Sequence, residues 1–273
     1  MFTQLWPRLS KAINTLPSTC LVCGGWPTRP VCGDCVTRFA APQPRCRVCA
    51  LKLLSTMAEQ ADTLHGTSDR TDLCPACLHR STPPAVHSCV AAVDYAYPWD
   101  RLIARFKFRN EPAWAATMAE HWLHRPAAVA LWHSANVVAP IPLTARGLGV
   151  RGYNQAWELV KAMRRHLQAH PQASHNPPDS PQCLPDALLR LGEVPQQHRL
   201  LTREARLHNL QGLFVAHPQH AQRLAGARVL LVDDVSTTGA TLDCAAQALL
   251  QVGAHSVNAL VFARTPNTVK PAV

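Results

Sequence analysis

Negative charge is scarce in this chain. Only 17 Asp and Glu stand against 27 Lys and Arg in 273 residues, and charged residues of both signs make up 16%. No Gly-Lys-Ser/Thr triplet occurs, which excludes a Walker-type phosphate loop. No apolar run is long enough to span a bilayer: the longest, Ala127 to Pro142, is interrupted by His133, Ser134 and Asn136. No targeting segment is expected either. Met1 to Pro17 is broken by Arg8, Ser10, Lys11 and Asn14, while Phe2, Leu5, Leu9, Ile13 and Leu16 mark one face of a short amphipathic helix within residues 1–19. These absences leave a soluble, cytoplasmic protein as the expectation. The 47% hydrophobic content fits a globular chain of one or two domains with a sizeable core. The formal charge of +10, carried mostly by Arg, suits polyphosphate ligands or nucleic acid without proving either.

Cysteine, by contrast, is concentrated. Eight of eleven precede residue 80, in four C-x-x-C pairs: Cys20/Cys23, Cys32/Cys35, Cys46/Cys49 and Cys74/Cys77. Each pair puts two sulfurs on one side of a knuckle, and two knuckles complete a tetrahedron around zinc. A disulfide framework requires secretion, and a redox dithiol requires one reactive pair rather than four. The spacing therefore predicts two structural Cys₄ zinc sites in a double ribbon over residues 20–80. As thiolates, each site carries −2 and lowers the formal charge to roughly +6. Sequential and crossed pairings both satisfy the count; shorter loops favour the sequential one. Residues 55–72 read as a polar excursion within the second ribbon.

Ser81-Thr82-Pro83-Pro84 is a linker signal. Beyond it, a domain over residues 86–266 alternates strand and helix patterns, as in an α/β fold. Strands are expected at Cys89–Tyr95, Asn136–Pro142, Leu188–Leu191, around Val229–Val232 and at Ser256–Ala263; helices at Trp99–Arg109, Pro112 to about Leu131, Tyr153 to about Gln168 and Ala240 to Val252. Residues 169–185 read as loop or disordered. In the first helix Arg101, Arg105, Lys107 and Arg109 surround an apolar stripe; they read either as a solvated face or, outside both phosphate loops, as a surface for single-stranded DNA. Two loops look ready for anions. One follows Pro140-Ile141-Pro142 and holds Arg146, Gly147, Gly149, Arg151 and Gly152 before Tyr153-Asn154-Gln155; Arg there supplies forked donors. The segment Gln196–Asn209, with Arg199 and Arg203, reads as a cover that closes over a bound polyanion or as a basic solvated helix.

The organising stretch is Val229-Leu230-Leu231-Val232-Asp233-Asp234-Val235-Ser236-Thr237-Thr238-Gly239-Ala240-Thr241. An apolar run of this kind reads as a buried parallel strand, and ligands of open α/β sheets sit beyond the carboxyl ends of such strands. Hydroxyls and a glycine before a helix N-terminus make a phosphate cradle. Two carboxylates where the strand breaks suit vicinal ribose hydroxyls, with Mg²⁺ offsetting the charge.

The stretch resembles the phosphoribosyl-pyrophosphate (PRPP) motif of type I phosphoribosyltransferases. With the Cys pairs, Leu102-Ile103-Ala104-Arg105-Phe106-Lys107-Phe108, the segment from Pro140 to Gln155, and Gln197…Leu200…Arg203…Asn209…Phe214, the whole chain resembles the ComF family of competence-associated, phosphoribosyltransferase-like proteins. The resemblance implies a type I phosphoribosyltransferase fold behind a zinc module and a role in uptake of transforming DNA, alone or with other competence-machinery proteins. It implies that Asp233 and Asp234 face the ribose and that Ser236, Thr237, Thr238, Gly239, Ala240 and Thr241 hold the 5-phosphate. Arg151, with Gly152, Asn154 and Gln155, would face pyrophosphate, and Arg199 or Arg203 would close over it. Two alternatives follow: phosphoribosyl transfer to a nitrogen acceptor, or a non-catalytic nucleic-acid-binding factor using the fold as a scaffold.

Overall fold

Val229–Val232 and Ala259–Ala263 are continuous apolar runs, the pattern of strands covered on both faces, and both lie at the centre of one parallel sheet. The computed structural model describes residues 18–53, 72–169, 180–192 and 212–267. The chain divides into two compact units, residues 1–41 and 42–273. The first holds Cys20, Cys23, Cys32 and Cys35 with helix α1 (Gly33–Phe39). The second begins with the other four cysteines and the single turn α2 (Pro75–Leu78).

The rest of the second unit runs β1 (Cys89–Asp94), α3 (Trp99–Phe108), α4 (Trp114–Leu123), α5 (Pro126–Ser134), β2 (Val137–Pro140), α6 (Ala145–Arg151), α7 (Gln155–Ala169) and β3 (Gln182–Cys183). It continues with β4 (Leu188–Arg190), β5 (Phe214–Ala216), α8 (Ala221–Leu224), β6 (Arg228–Ser236), α9 (Ala240–Gln251) and β7 (Ser256–Arg264). The sheet order is β1-β7-β6-β2-β3, with every pairing parallel. From β6 the chain crosses through α9 to β7 on one side; from β2 it crosses through α6 and α7 to β3 on the other. The crevice between the carboxyl ends of β2 and β6 is thus a topological switch point, where open α/β sheets bind ligands.

The sheet's edges are covered differently. β3 is two residues long. On β1, Arg125 Nη2 donates to the Ala92 carbonyl at 2.9 Å, and the Cys89 N–H donates to the Arg47 carbonyl at 2.8 Å. β4 and β5 form a separate antiparallel pair.

Several elements differ from the sequence expectation. The helix expected from Pro112 to Leu131 is two helices, because Arg125 is extended (φ −119°, ψ 99°) before Pro126, which opens α5. The glycine-rich loop of Arg146–Gly152 is instead the short helix α6. Thr144 caps it by accepting from Gly147 N at 2.9 Å, and Gly152 ends it at φ 76°. β6 does not break at the carboxylates but continues to Ser236, paired with Arg264 of β7. Within the polar stretch 169–185, Gln182–Cys183 forms the β3 edge. The expected N-terminal helix and most of the excursion at 55–72 lie outside the described residues.

On one face of the sheet Trp99, Trp122 and Phe262 are fully buried, and the Trp122 indole donates to Val261 O at 3.0 Å. His121 is packed among them, its ring 4.8 Å from Trp99 and 6.1 Å from Phe262. Burial lowers its pKa to about 4. Because the folded value lies below the unfolded one, this stability is present above about pH 6.5 and is lost as pH falls toward 4, by at most about 1.4 kcal/mol per pH unit. Urea melts at pH 7 and pH 5 should therefore show a smaller acid penalty for His121→Phe than for the wild type. Equal penalties would remove His121 from the acid response.

Candidate functional site

β6 delivers the organising stretch to the switch point. Ser236 is buried at its end, Thr237 is exposed, and Thr238 and Gly239 are half-buried. Gly239 adopts φ 81° as the N-cap of α9, a conformation that would strain any other residue. Having no side chain, it leaves room at the first turn of the twelve-residue helix, where the Ala240 N–H donates to Thr238 Oγ1 at 3.4 Å and the positive end of the helix dipole lies behind the loop. Ala240 is buried and Thr241 half-buried at the start of α9.

The two carboxylates stand just before this loop. Asp233 is half-buried, and its Oδ1 accepts from the Asp234 N–H at 2.8 Å. Burial, then the adjacent Asp234 carboxylate, push its pKa well up, with Lys107 opposing. Asp234 is 5% exposed. Its Oδ1 lies 2.9 Å from Lys107 Nζ, and its Oδ2 is buried with no hydrogen-bond partner among the described residues. A buried carboxylate oxygen without a donor is costly, and a hydroxyl-bearing ligand would supply one.

Lys107 is the residue sequence reasoning misplaced. Its expected position, on a DNA face clear of both phosphate loops, is corrected by the ion pair to Asp234. Arg105 is likewise engaged, forking onto Glu111 at 3.0 Å, and Arg101 lies over the Tyr97 ring at 5.2 Å. The carboxyl end of α3 also meets the second loop. The Tyr153 hydroxyl donates to the Phe106 carbonyl. The Arg151 guanidinium sits 5.6 Å from the centre of the exposed Phe108 ring and donates to Gln155 Oε1 at 3.0 Å. Asn154 braces the turn, donating through Nδ2 to Ile141 O at 3.0 Å and accepting from Trp157 N at 3.3 Å. α3 therefore links Arg151 and Gln155 to Asp234. Gly152, at the α6 terminus, supplies the left-handed turn between them. Arg199 and Arg203 lie outside the described residues.

The eight cysteines fall into two tetrads, Cys20/Cys23/Cys32/Cys35 and Cys46/Cys49/Cys74/Cys77, each with its sulfurs within 4.8 Å of one another. This is the sequential grouping. A tetrahedral ion with Zn–S bonds near 2.3 Å requires sulfurs about 3.8 Å apart. Cys20 and Cys35 are at 3.8 Å, Cys23 and Cys32 at 3.6 Å, and Cys49 and Cys74 at 3.6 Å. Contacts among the four sulfurs pull the Cys46 and Cys74 thiols down and push Cys49 and Cys77 up. A divalent cation would hold all four as thiolates at once. Both tetrads fit zinc, and elemental analysis of purified protein should find about two ions per chain. One ion, or none with the thiols oxidised, would contradict that fit.

Comparison with known proteins agrees with this architecture. A family model described as a phosphoribosyl transferase domain matches residues 190–272. The chain is 31% identical over 196 residues to the DNA utilization protein YhgH of Escherichia coli (strain K12), covering 70% of this chain and 78% of that one. It is 28% identical over 205 residues to competence protein F of Haemophilus influenzae, with the same shares, 70% and 78%. Against competence protein ComFC of Bacillus subtilis it is 33% identical over 130 residues, 47% of this chain and 45% of that one. Parallel sheet, switch-point loop and Cys tetrads together define a phosphoribosyltransferase-like protein with zinc-ribbon knuckles. The chain belongs to the ComF family. No helix among the described residues is long and apolar enough to cross a membrane.

Proposed function

We propose that this protein binds PRPP with Mg²⁺ at the carboxyl ends of β2 and β6, and that it serves DNA uptake during natural transformation. The observation that carries the reading is the buried, donor-seeking Asp234 beside an anion-ready helix terminus. Asp233 and Asp234 hold the ribose hydroxyls; the Ser236–Thr241 loop holds the 5-phosphate; Arg151 faces pyrophosphate, with Arg199 or Arg203 closing over it. Mg²⁺ on the substrate supplies charge neutralisation for the departing pyrophosphate. Transfer to a nitrogen acceptor needs no covalent nucleophile, only placed charges around an oxocarbenium-like centre. Isothermal calorimetry with PRPP and Mg²⁺, followed by an acceptor screen for pyrophosphate release, tests both halves. No heat of binding refutes the site; binding without release under any acceptor refutes turnover.

The relatives' names, which speak of DNA utilization and competence and not of a transferase, favour a second reading. In it the fold is a non-catalytic, nucleic-acid-binding scaffold in the cytoplasm, acting on single-stranded DNA or through other competence proteins. Direct contact predicts DNA affinity that falls with salt, with a log–log slope of about −0.7 per phosphate neutralised. Salt-independent or absent binding would leave only the protein-mediated version.

A further inference from the structure

Arg264 ends β7 and is 5% exposed, an unusual burial for a guanidinium. Its Nε donates to the carbonyl of Cys49 at 2.8 Å. Its Nη1 shares its two hydrogens among three carbonyls, those of Thr265 at 2.8 Å, of Ser236 at 3.3 Å and of Thr237. One rigid fork thus grips the backbone of the second Cys₄ knuckle with one nitrogen and the first residues of the phosphate loop with another. A further tie runs between the same two parts. Arg80, three residues past Cys77, pairs with Asp243 in the first turn of α9 at 2.5 Å, with the two side chains 16% and 4% exposed. Asp243 also accepts from Val86 N at 3.4 Å. The knuckle is held to the loop at its entrance, Ser236–Thr237, and at the helix that closes it.

We infer that Arg264 is a positioning residue that couples metal binding at Cys46/Cys49/Cys74/Cys77 to anion binding at Ser236–Thr241, each strengthening the other. The Cys49 carbonyl belongs to a tight turn: Ala50 has φ 57°, and its N–H donates to Cys46 O at 2.8 Å. Where that peptide points depends on where the Cys46 and Cys49 sulfurs are held, so a metal that fixes them fixes an acceptor of Arg264. A planar guanidinium cannot follow a displaced Cys49 carbonyl without tilting away from Ser236 and Thr237, whose carbonyls set the loop's backbone. The coupling rests on the reading of this loop as a phosphate site, and by linkage it must be reciprocal.

The test is a zinc competition against a chromophoric chelator, on the full-length protein, with and without saturating PRPP and Mg²⁺. One of the two zinc sites should tighten by about fivefold or more on adding PRPP, and the other should not. In Arg264→Gln both sites should still fill, but the PRPP effect should vanish. Wild-type protein that binds PRPP calorimetrically yet shows unchanged zinc affinity would overturn the coupling. So would an undiminished effect in Arg264→Gln. If PRPP does not bind the wild type at all, the functional reading fails instead, and amide exchange decides the structural half. In zinc-loaded Arg264→Gln the amides of residues 237–241 should exchange faster while those of 229–232 stay protected, and zinc should bind one site more weakly. Unchanged loop exchange and zinc affinity would dismiss Arg264 as a link. Arg264→Lys, which keeps the charge and loses the fork, provides the same readings should the Gln variant not fold.

Discussion

Cys46→Ser should lower the stability of the sheet domain by at least about 3 kcal/mol, whereas Cys20→Ser should leave that domain's unfolding almost unchanged. The contrast follows from where each tetrad sits. Cys20 belongs to the unit of residues 1–41, while Cys46 belongs to the unit that contains the whole parallel sheet. Cys46, Cys49, Leu53 and Cys74 form their own buried cluster. Around it Arg45 pairs with Asp94 at the end of β1 at 2.7 Å, and Arg80 pairs with the 4%-exposed Asp243. Breaking one buried pair typically costs about 3–5 kcal/mol, because the remaining charge loses its partner. That is a large share of the roughly 5–15 kcal/mol by which domains are stable. Denaturant unfolding followed by tryptophan fluorescence reports on Trp99 and Trp122 in the sheet's core. Equal losses in the two variants would mean that the first unit supports the sheet as strongly as the second knuckle does.

Asp233→Asn should make the ligand-free protein more stable at neutral pH, and Asp233→Asn/Asp234→Asn should abolish stabilisation by PRPP. The folded-state pKa of Asp233 lies above its unfolded value, so the folded form prefers the carboxyl neutral. Wild-type stability is therefore lost as pH rises from about 4 through the folded pKa, by at most about 1.4 kcal/mol per pH unit. Asn keeps the Oδ1 that accepts from the Asp234 amide and carries no charge, so the gap between variant and wild type should open over that window and then level off. A ligand at a hundred times its dissociation constant adds about 2.7 kcal/mol to the wild type. The double variant should gain none of it, though it also leaves Lys107 without its partner. Thermal melts at pH 5, 7 and 8.5, with and without PRPP and Mg²⁺, read both effects. A wild type more stable than Asp233→Asn at pH 8.5, or an equal PRPP shift in the double variant, would mean that these carboxylates are not held for a ligand.

How much of this was legible in the sequence depended on how local the cause was. Val229–Val232 announced a buried parallel strand because a strand covered on both faces needs no alternation. The C-x-x-C knuckles were legible because two thiols at that spacing already share a side, and loop length argued for their sequential grouping. Lys107 was not. Charged residues around an apolar helical stripe usually face water, and nothing near Lys107 in sequence tells of a carboxylate at position 234. Arg264, one residue past the expected end of the last strand, carried no signal for the same reason, since its acceptors come from residues 49, 236 and 237. α6 hid behind three glycines, and only the Thr144 cap and the Gly152 turn make seven residues helical. A two-residue strand such as β3 carries no periodicity at all.

That short strand has a bearing on how the protein behaves at high concentration. A parallel sheet ends in rows of unused N–H and C=O groups, which invite strands from other molecules. Here Gln182–Cys183 lies between Pro181 and Pro185, so one border gives an incoming chain little length to register with and a proline close on either side. At the other border, Arg125 takes the Ala92 carbonyl and Arg47 takes the Cys89 amide. Among the described residues both borders are thus blunted without closing the sheet into a barrel, and Arg125→Ala, which uncovers a carbonyl on β1, should scatter more light than the wild type at equal concentration; equal scattering would mean that this edge does not limit association.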